Sequence, residues 1–268
     1  MTEVRWKADD QVMRAVLDGE PTMNSIDPVV LDGLEAMMDA VEADPSLRAV
    51  VITGAGTKAF SVGMDLDFLE RCFGDPDGVF VPFLERFHAV LRRLERLPVP
   101  VVAQVNGLAR AGGFELILAC DLVVAAEEAR VGDIHLDFGV PPGAGSSQRA
   151  ARKLGDQRAK ALMLTPRWLQ GPELVTWGLA LATVPRDRLD EEVEQLLGGL
   201  RGRSRPVIAL VKRLVGGATD VTLDEGLRLE RALFERFIHE VPDAAEGFTA
   251  FREKRPATWG DADVQAFV

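Results

Sequence analysis

Two residues in this chain have the types and settings to move protons. Glu115 stands near the head of the apolar run GGFELILAC (112–120), and His135, one of only 3 histidines, lies in the Gly/Pro-rich stretch GDIHLDFGVPPGAG (132–145). A carboxylate at the start of an apolar helix is partly stripped of water, which lifts its pKa towards neutrality as a general base requires. The same place also suits an ordinary first-turn glutamate favoured by the helix dipole. Imidazole titrates near neutral pH, so His135 reads either as a proton-transfer group or as a polar residue lining a cleft. Asp137, the carboxylate two residues beyond it, reads as a doubtful partner. His88 and His239 sit in helical patterns beside charged neighbours and read as solvent-facing.

Two glycine-bearing turns offer a second kind of chemistry. GAGTKAFSVGMD (54–65) follows the strand-like RAVVIT, and NGLARAGG (106–113) follows VPVVAQV. Turns of this kind expose backbone N–H groups, and two convergent N–H donors stabilise negative charge growing on a carbonyl oxygen. Gly63-Met64 and Gly112-Gly113 supply the permissive backbone on the two sides, although ordinary βα loops use glycine as well. GAGTKA also matches the loose dinucleotide pattern G-x-G-x-x-A, but that fingerprint needs a helix to open at once on the first strand. Here the loop runs on through AFSVGMD, which argues against a nicotinamide cofactor.

These turns must be carried by alternating strands and helices. VRWKA and QVMRAVLDG read as strands, and residues 27–41 place Val30, Leu34, Met37, Met38 and Val41 at the 3.6-residue period of an amphipathic helix. Strands at RAVVIT, VPVVAQV and DLVVAA, each followed by a turn and a helical pattern, predict an α/β fold built by right-handed crossovers. LDFLERCF reads as a helix, CFGDPDGVFVPF as an irregular insertion, and VFVPFLERFHAVLRRLERL resumes a helical period up to Pro98. Beyond residue 145 the patterns are almost all helical, and the last ~60–70 residues should form a helical portion.

Composition narrows the partners. The 268 residues are 47% hydrophobic, which suits one large domain or one domain with a small appendage. A formal net charge of −11 argues against nucleic acid, whose phosphates reward clustered Lys and Arg. No apolar run reaches the ~18–20 residues of a membrane span, and the charged start MTEVRWKADD is unlike a signal peptide, so a cytoplasmic location is expected. The 2 cysteines, Cys72 and Cys120, lack metal or redox spacing.

TGAGTKAFSVGMDL resembles the pattern G-x-G-x-x-F-S/C-A-G-x-D-L of the crotonase superfamily, the enoyl-CoA hydratase/isomerase family. LPVPVVAQVNGLARAGGFELILACDLVVAA is similar to its second signature, K-P-V-I-A-A-V-x-G-x-A-x-G-G-G-x-E-L-A-L-A-C-D. The likeness continues through PTMNSID, FGVPPGAGSSQRAARKLG, WGLA and EGFTAFREKRPATW, nearly the whole chain. The resemblance implies a crotonase-type spiral of ββα units over residues 1–200 and a helical oligomerisation region over 201–268, assembled as a homotrimer or hexamer. It implies an acyl-CoA thioester substrate, with coenzyme A part of that substrate and no separate cofactor or metal.

Carried over residue by residue, the oxyanion donors are the N–H groups of Met64 and Gly112, and Glu115 takes the place of one catalytic glutamate. The second glutamate of hydratases falls eight residues before Gly143, which is His135 here, a departure from the pattern. Glu115 with His135 remains chemically workable, because imidazole can accept a water hydrogen bond and imidazolium can donate a proton. The resemblance therefore implies a hydratase-like lyase, with an enoyl-CoA isomerase, a hydrolase of a β-dicarbonyl or thioester, and an inactive crotonase-fold scaffold as alternatives. Gly143 stands where dienoyl-CoA isomerases and halobenzoyl-CoA dehalogenases carry an aspartate, which argues against both. Lys58 and Lys254 match basic positions near the nucleotide phosphates, whereas Glu20 replaces a residue that is often basic. By analogy, Met23, Phe68 and Phe138 line the acyl pocket.

Overall fold

The protein is described by a computed structural model over residues 1–260, so the end of the expected 201–268 region lies outside the described residues. The chain opens with a hairpin of β1 (Glu3–Asp9) and β2 (Val12–Asp18), then α1 (Pro28–Ala43). Three strand–strand–helix units follow. The first is β3 (Ala49–Gly54), β4 (Ala59–Ser61) and α2 (Leu66–Gly74), with α3 (Val81–Arg96) leading onward. The second is β5 (Val101–Val105), β6 (Leu108–Arg110) and α4 (Gly112–Ala119), and the third is β7 (Leu122–Ala126), β8 (Arg130–Gly132) and α5 (Ser146–Leu154). Beyond them lie α6 (Asp156–Leu164), β9 (Leu169–Gln170), α7 (Pro172–Thr176), β10 (Ala182–Val184), α8 (Leu189–Gly198), α9 (Arg205–Gly217), α10 (Leu223–Glu240) and α11 (Asp243–Glu253).

The first strand of each unit enters a six-stranded sheet of order β1-β2-β3-β5-β7-β10, and the second enters a four-stranded sheet of order β4-β6-β8-β9. Each unit therefore lays its strands beside those of the unit before it, in both sheets, which makes a spiral. Pairing is parallel except at the β1–β2 hairpin and the β8–β9 edge. Strands such as VVAQV of β5 are buried along their whole length, the pattern of parallel strands covered on both faces.

Helix α1 begins where Asp27 accepts hydrogen bonds from the N–H groups of Val29 (2.9 Å) and Val30 (3.2 Å), and Pro28 fills the first helical position. Its Val30, Leu34, Met37, Met38 and Val41 are all buried in the core. The helices expected at LDFLERCF and after Val79 form, but the junction between them is less irregular than the insertion expected there. Helix α2 runs to Gly74, a π-helical turn covers Pro76–Phe80, and α3 starts at Val81. Asp75 absorbs the turn-forming composition by accepting from Gly78 N–H at 2.9 Å, and Phe73 meets Phe80 edge-on with ring centroids 5.5 Å apart.

The C-terminal helices stand apart from the main core. Leu210, Leu233 and Val241 form a small cluster of their own. Lys212 ties α9 to the spiral, donating to the carbonyls of Leu94 and Val99 at 3.0 Å and pairing with Asp121 at 2.7 Å. Their outer faces leave Leu223, Leu227, Phe234, Phe248 and Phe251 exposed, the last 82% accessible. Among the described residues no helix is long and apolar enough to cross a membrane.

Candidate active site

The turns after β4 and β6 meet. Ile26 N–H donates to Gly63 O (2.8 Å) and Ile26 O accepts from Asp65 N–H (3.0 Å), so the intervening Met64 turns its own N–H away from Ile26. Gly112 is the first residue of α4, where the N–H has no intrahelical acceptor. Neither N–H has a hydrogen-bond partner among the described residues. Gly63 adopts φ +86°, and a Cβ added there would lie 2.8 Å from the Gly112 nitrogen. Only glycine lets the two turns approach this closely. Gly113 packs just as tightly, since a Cβ on it would sit 2.2 Å from Ser61 O.

Glu115 lies one turn into α4, a helix buried on every side, and is 2% exposed. Its Oε1 accepts from Ala144 N–H at 2.7 Å and Ser146 N–H at 3.2 Å, so the turn that starts α5 holds the carboxylate. Burial is the largest influence on its pKa and pushes it up. The charge of His135 and the two backbone donors pull it down without cancelling that rise.

His135 opens a 3-10 turn, His135–Phe138, and its imidazole is mostly buried. Nδ1 lies 3.1 Å from Asp133 Oδ1, close enough for an ion pair but without the alignment of a directed hydrogen bond. Burial alone would lower the imidazole pKa, but the Asp133 carboxylate and the Glu115 charge outweigh it and hold it above its ordinary value. Asp133 is itself 1% exposed, and its Oδ2 accepts from the Ser146 hydroxyl at 2.7 Å. Ser146 thus touches both carboxylates, Glu115 through its N–H and Asp133 through its Oγ.

Asp137 does not take part. The segment is a 3-10 turn rather than a strand, so Asp137 projects into solvent while the backbone folds Asp133 back onto the ring. Ile134 makes that fold possible with φ +57°, a left-handed conformation that is a genuine outlier for a β-branched residue. Ala111, just before the Gly112 donor, has φ +47°, and Met23 and Asn24 have φ +55° and +57°. Such residues cost on the order of 1–3 kcal/mol each and persist where the surroundings over-determine them. Four of the seven non-glycine residues with positive φ among the described residues fall beside these turns, the others being Asp10 and Gln11 in the β1–β2 hairpin and Lys254 after α11.

Two buried asparagines fix the loop after β3. Asn106 Nδ2 donates to the carbonyls of Gly54 and Gly56, both at 2.8 Å, and its Oδ1 accepts from Gly54 N–H at 3.3 Å. Asn24 Nδ2 donates to Ala59 O (2.8 Å) and Ala55 O (3.1 Å). Replacing Asn106 by Ala is expected to destabilise the fold by about 1–3 kcal/mol, because buried backbone groups lose their partner. A urea-unfolding midpoint unchanged by Asn106→Ala would refute this role.

Met23 and Met64 are half-buried in the turns flanking the two donors. Phe68 belongs to the core, edge-on to Phe83 at 4.7 Å, and Phe138 is half exposed beneath the Arg110 guanidinium, 5.4 Å from its ring centre. Lys58 is exposed in the β3–β4 turn, and Lys254 is exposed just past α11; neither is ion-paired among the described residues. Glu20 lies against Gly56, in the same loop as Lys58. Among the described residues no group of three or more His, Cys, Asp or Glu is arranged to hold a metal. Asp133, Ser146, Asn24 and Asn106 were not singled out from sequence; the Asp-x-His spacing was the one available signal.

The sequence profile of the enoyl-CoA hydratase/isomerase family matches residues 8–262. The chain belongs to this family. A probable enoyl-CoA hydratase of Rhizobium meliloti is 34% identical over 241 residues, covering 90% of this chain and 91% of that protein. A putative enoyl-CoA hydratase of Thermus thermophilus is 38% identical over 237 residues, 87% of this chain and 91% of that one. The crystal structure of an enoyl-CoA hydratase from Bacillus anthracis superposes with a TM-score of 0.89 at 32% identity, covering 97% and 99% of the two chains. The crotonase fold of this enoyl-CoA hydratase/isomerase family member is thereby established, and its paired sheets and C-terminal helices follow that fold.

Proposed function

We propose that this family member hydrates α,β-unsaturated acyl-CoA thioesters. The observation that supports the reading most is the close approach of Gly63 to Gly112, which sets the unpartnered N–H groups of Met64 and Gly112 in adjoining turns at the end of α4 that bears the buried Glu115. The thioester oxygen accepts both hydrogen bonds, which draws electron density from the double bond and leaves the β carbon electrophilic. Glu115 takes a proton from water as the hydroxide adds to the β carbon, and His135 as imidazolium delivers a proton to the α carbon of the enolate. Proton transfer from Glu115 to His135 restores the starting state, and one water has been added.

Lys58 and Lys254 supply positive charge for the coenzyme A phosphates in this reading, and Met23 and Phe138 line the acyl side, whereas Phe68 is taken up by the core. The apolar outer faces of α9–α11 support self-association into a trimer or hexamer, because exposed patches of this kind mark contact surfaces. Turnover of crotonyl-CoA with identification of the 3-hydroxy product tests the reaction. A double-bond shift without hydration would replace it with isomerisation, and release of free coenzyme A would replace it with thioester hydrolysis.

The pH dependence follows from the two titrations. Glu115 must be ionised and its pKa is raised, so kcat/KM should climb on an acid limb lying above the ordinary carboxylate range. His135 must be protonated and its pKa is also raised, so activity should fall on a basic limb above the ordinary histidine value. His135→Ala should abolish the basic limb. A wild-type profile flat from pH 5 to 9 would contradict the acid–base assignment.

A further inference from the structure

We propose that Asp133 is a positioning residue through which the site regains the second carboxylate that His135 displaced. The inference rests on the hydratase reading for its kinetics but not for its geometry. Asp133 is fully buried at the end of β8, with Oδ1 3.1 Å from His135 Nδ1 and Oδ2 held by Ser146 Oγ at 2.7 Å. A buried carboxylate at this distance favours a proton on the ring nitrogen that faces it.

Charged groups reach the turn from several elements, among them Arg110 of β6, whose guanidinium lies 5.4 Å from the Phe138 ring centre, and the Lys160–Asp156 pair of α6, which packs against the turn. Asp133 faces it from the end of β8 and Glu115 from α4, while Asp137 of its own turn is exposed. From α5 comes only the Ser146 hydroxyl, since Arg149 is committed to Glu95 (2.5 Å) and Ala144 O (2.7 Å). Ile134, between Asp133 and His135, holds a left-handed φ of +57°, uncommon for a β-branched residue, which marks the Asp133–His135 segment as constrained.

The test is Asp133→Asn, read in two ways. The chain has 3 histidines, so the His135 imidazole signal is identified by its loss in His135→Ala, and its titration is followed by NMR without any substrate. Its midpoint should fall by about one unit or more in Asp133→Asn, and by less in Ser146→Ala, which removes only the hydroxyl. In turnover, Asp133→Asn should lower kcat by about 10²-fold, the lower end of what a positioned acid or base contributes, with KM little changed and the basic limb moved to lower pH. In a His135→Ala background the same substitution should change kcat less than about 2-fold, because residues acting as a unit are not additive. An unmoved His135 titration in both variants, or an equal loss with and without His135, overturns the proposal. If no enoyl thioester is turned over, the hydratase reading fails while the NMR result still decides the role of Asp133. Should Asp133→Asn not fold, Ser146→Ala carries the same titration test.

Discussion

Glu115→Gln is expected to remove about 10²–10⁴-fold of kcat for crotonyl-CoA hydration, the contribution of a positioned general base. The amide keeps an oxygen that can accept from Ala144 N–H and Ser146 N–H, so the turn before α5 and the thioester site should stay in place. KM should therefore change little, which distinguishes loss of chemistry from loss of the site. Stability should move the other way. Because burial raises the Glu115 pKa, its favourable contribution is complete below the ordinary carboxylate range and is lost as pH rises through the raised value. The glutamine variant has no such loss, and at pH 8 it should unfold at the same or higher urea concentration than the parent. Retention of more than a tenth of the parent kcat would remove Glu115 from the reaction.

Gly63→Ala should produce the second largest effect, by a different route. The residue at 63 holds φ +86° and its Cβ would lie 2.8 Å from the Gly112 nitrogen, so the methyl group pushes against the turn that carries the Gly112 N–H donor. Loss of one donor of this kind costs about 10²–10³-fold in kcat, and the left-handed backbone adds on the order of 1–3 kcal/mol of strain. Both kcat and the unfolding midpoint should drop together, unlike Glu115→Gln. Alanine at 63 with normal turnover would show that Met64 N–H and Gly112 N–H do not hold the thioester oxygen.

Much of the architecture was legible in the chain because its signals are local. The period of Val30, Leu34, Met37, Met38 and Val41 needs only the geometry of one helix, and all five are buried in α1. The fully apolar strands before each glycine turn announce the parallel sheet for the same reason. Only the junction between α2 and α3 escapes the local pattern, because Asp, Gly and Pro form caps and helix junctions as well as loops. There Asp75 closes a π-helical turn instead of opening a loop.

The site divides along the same line. The sequence by itself determined the family, the pair of glycine turns and the departure at His135, since motif residues and their spacing are properties of the chain. Only the tertiary structure decided which carboxylate His135 meets. Asp133 and Asp137 are equally distant in sequence, and an argument from side-chain alternation has no force in a 3-10 turn. Backbone torsion at Ile134 and the hydroxyl of Ser146, 13 residues from Asp133, select Asp133. Likewise, the closeness of Gly63 to Gly112 depends on the pairing of β4 with β6, a contact between separate units of the spiral. Proton transfer and oxyanion binding depend on such distances between remote segments, which packing fixes and local spacing does not.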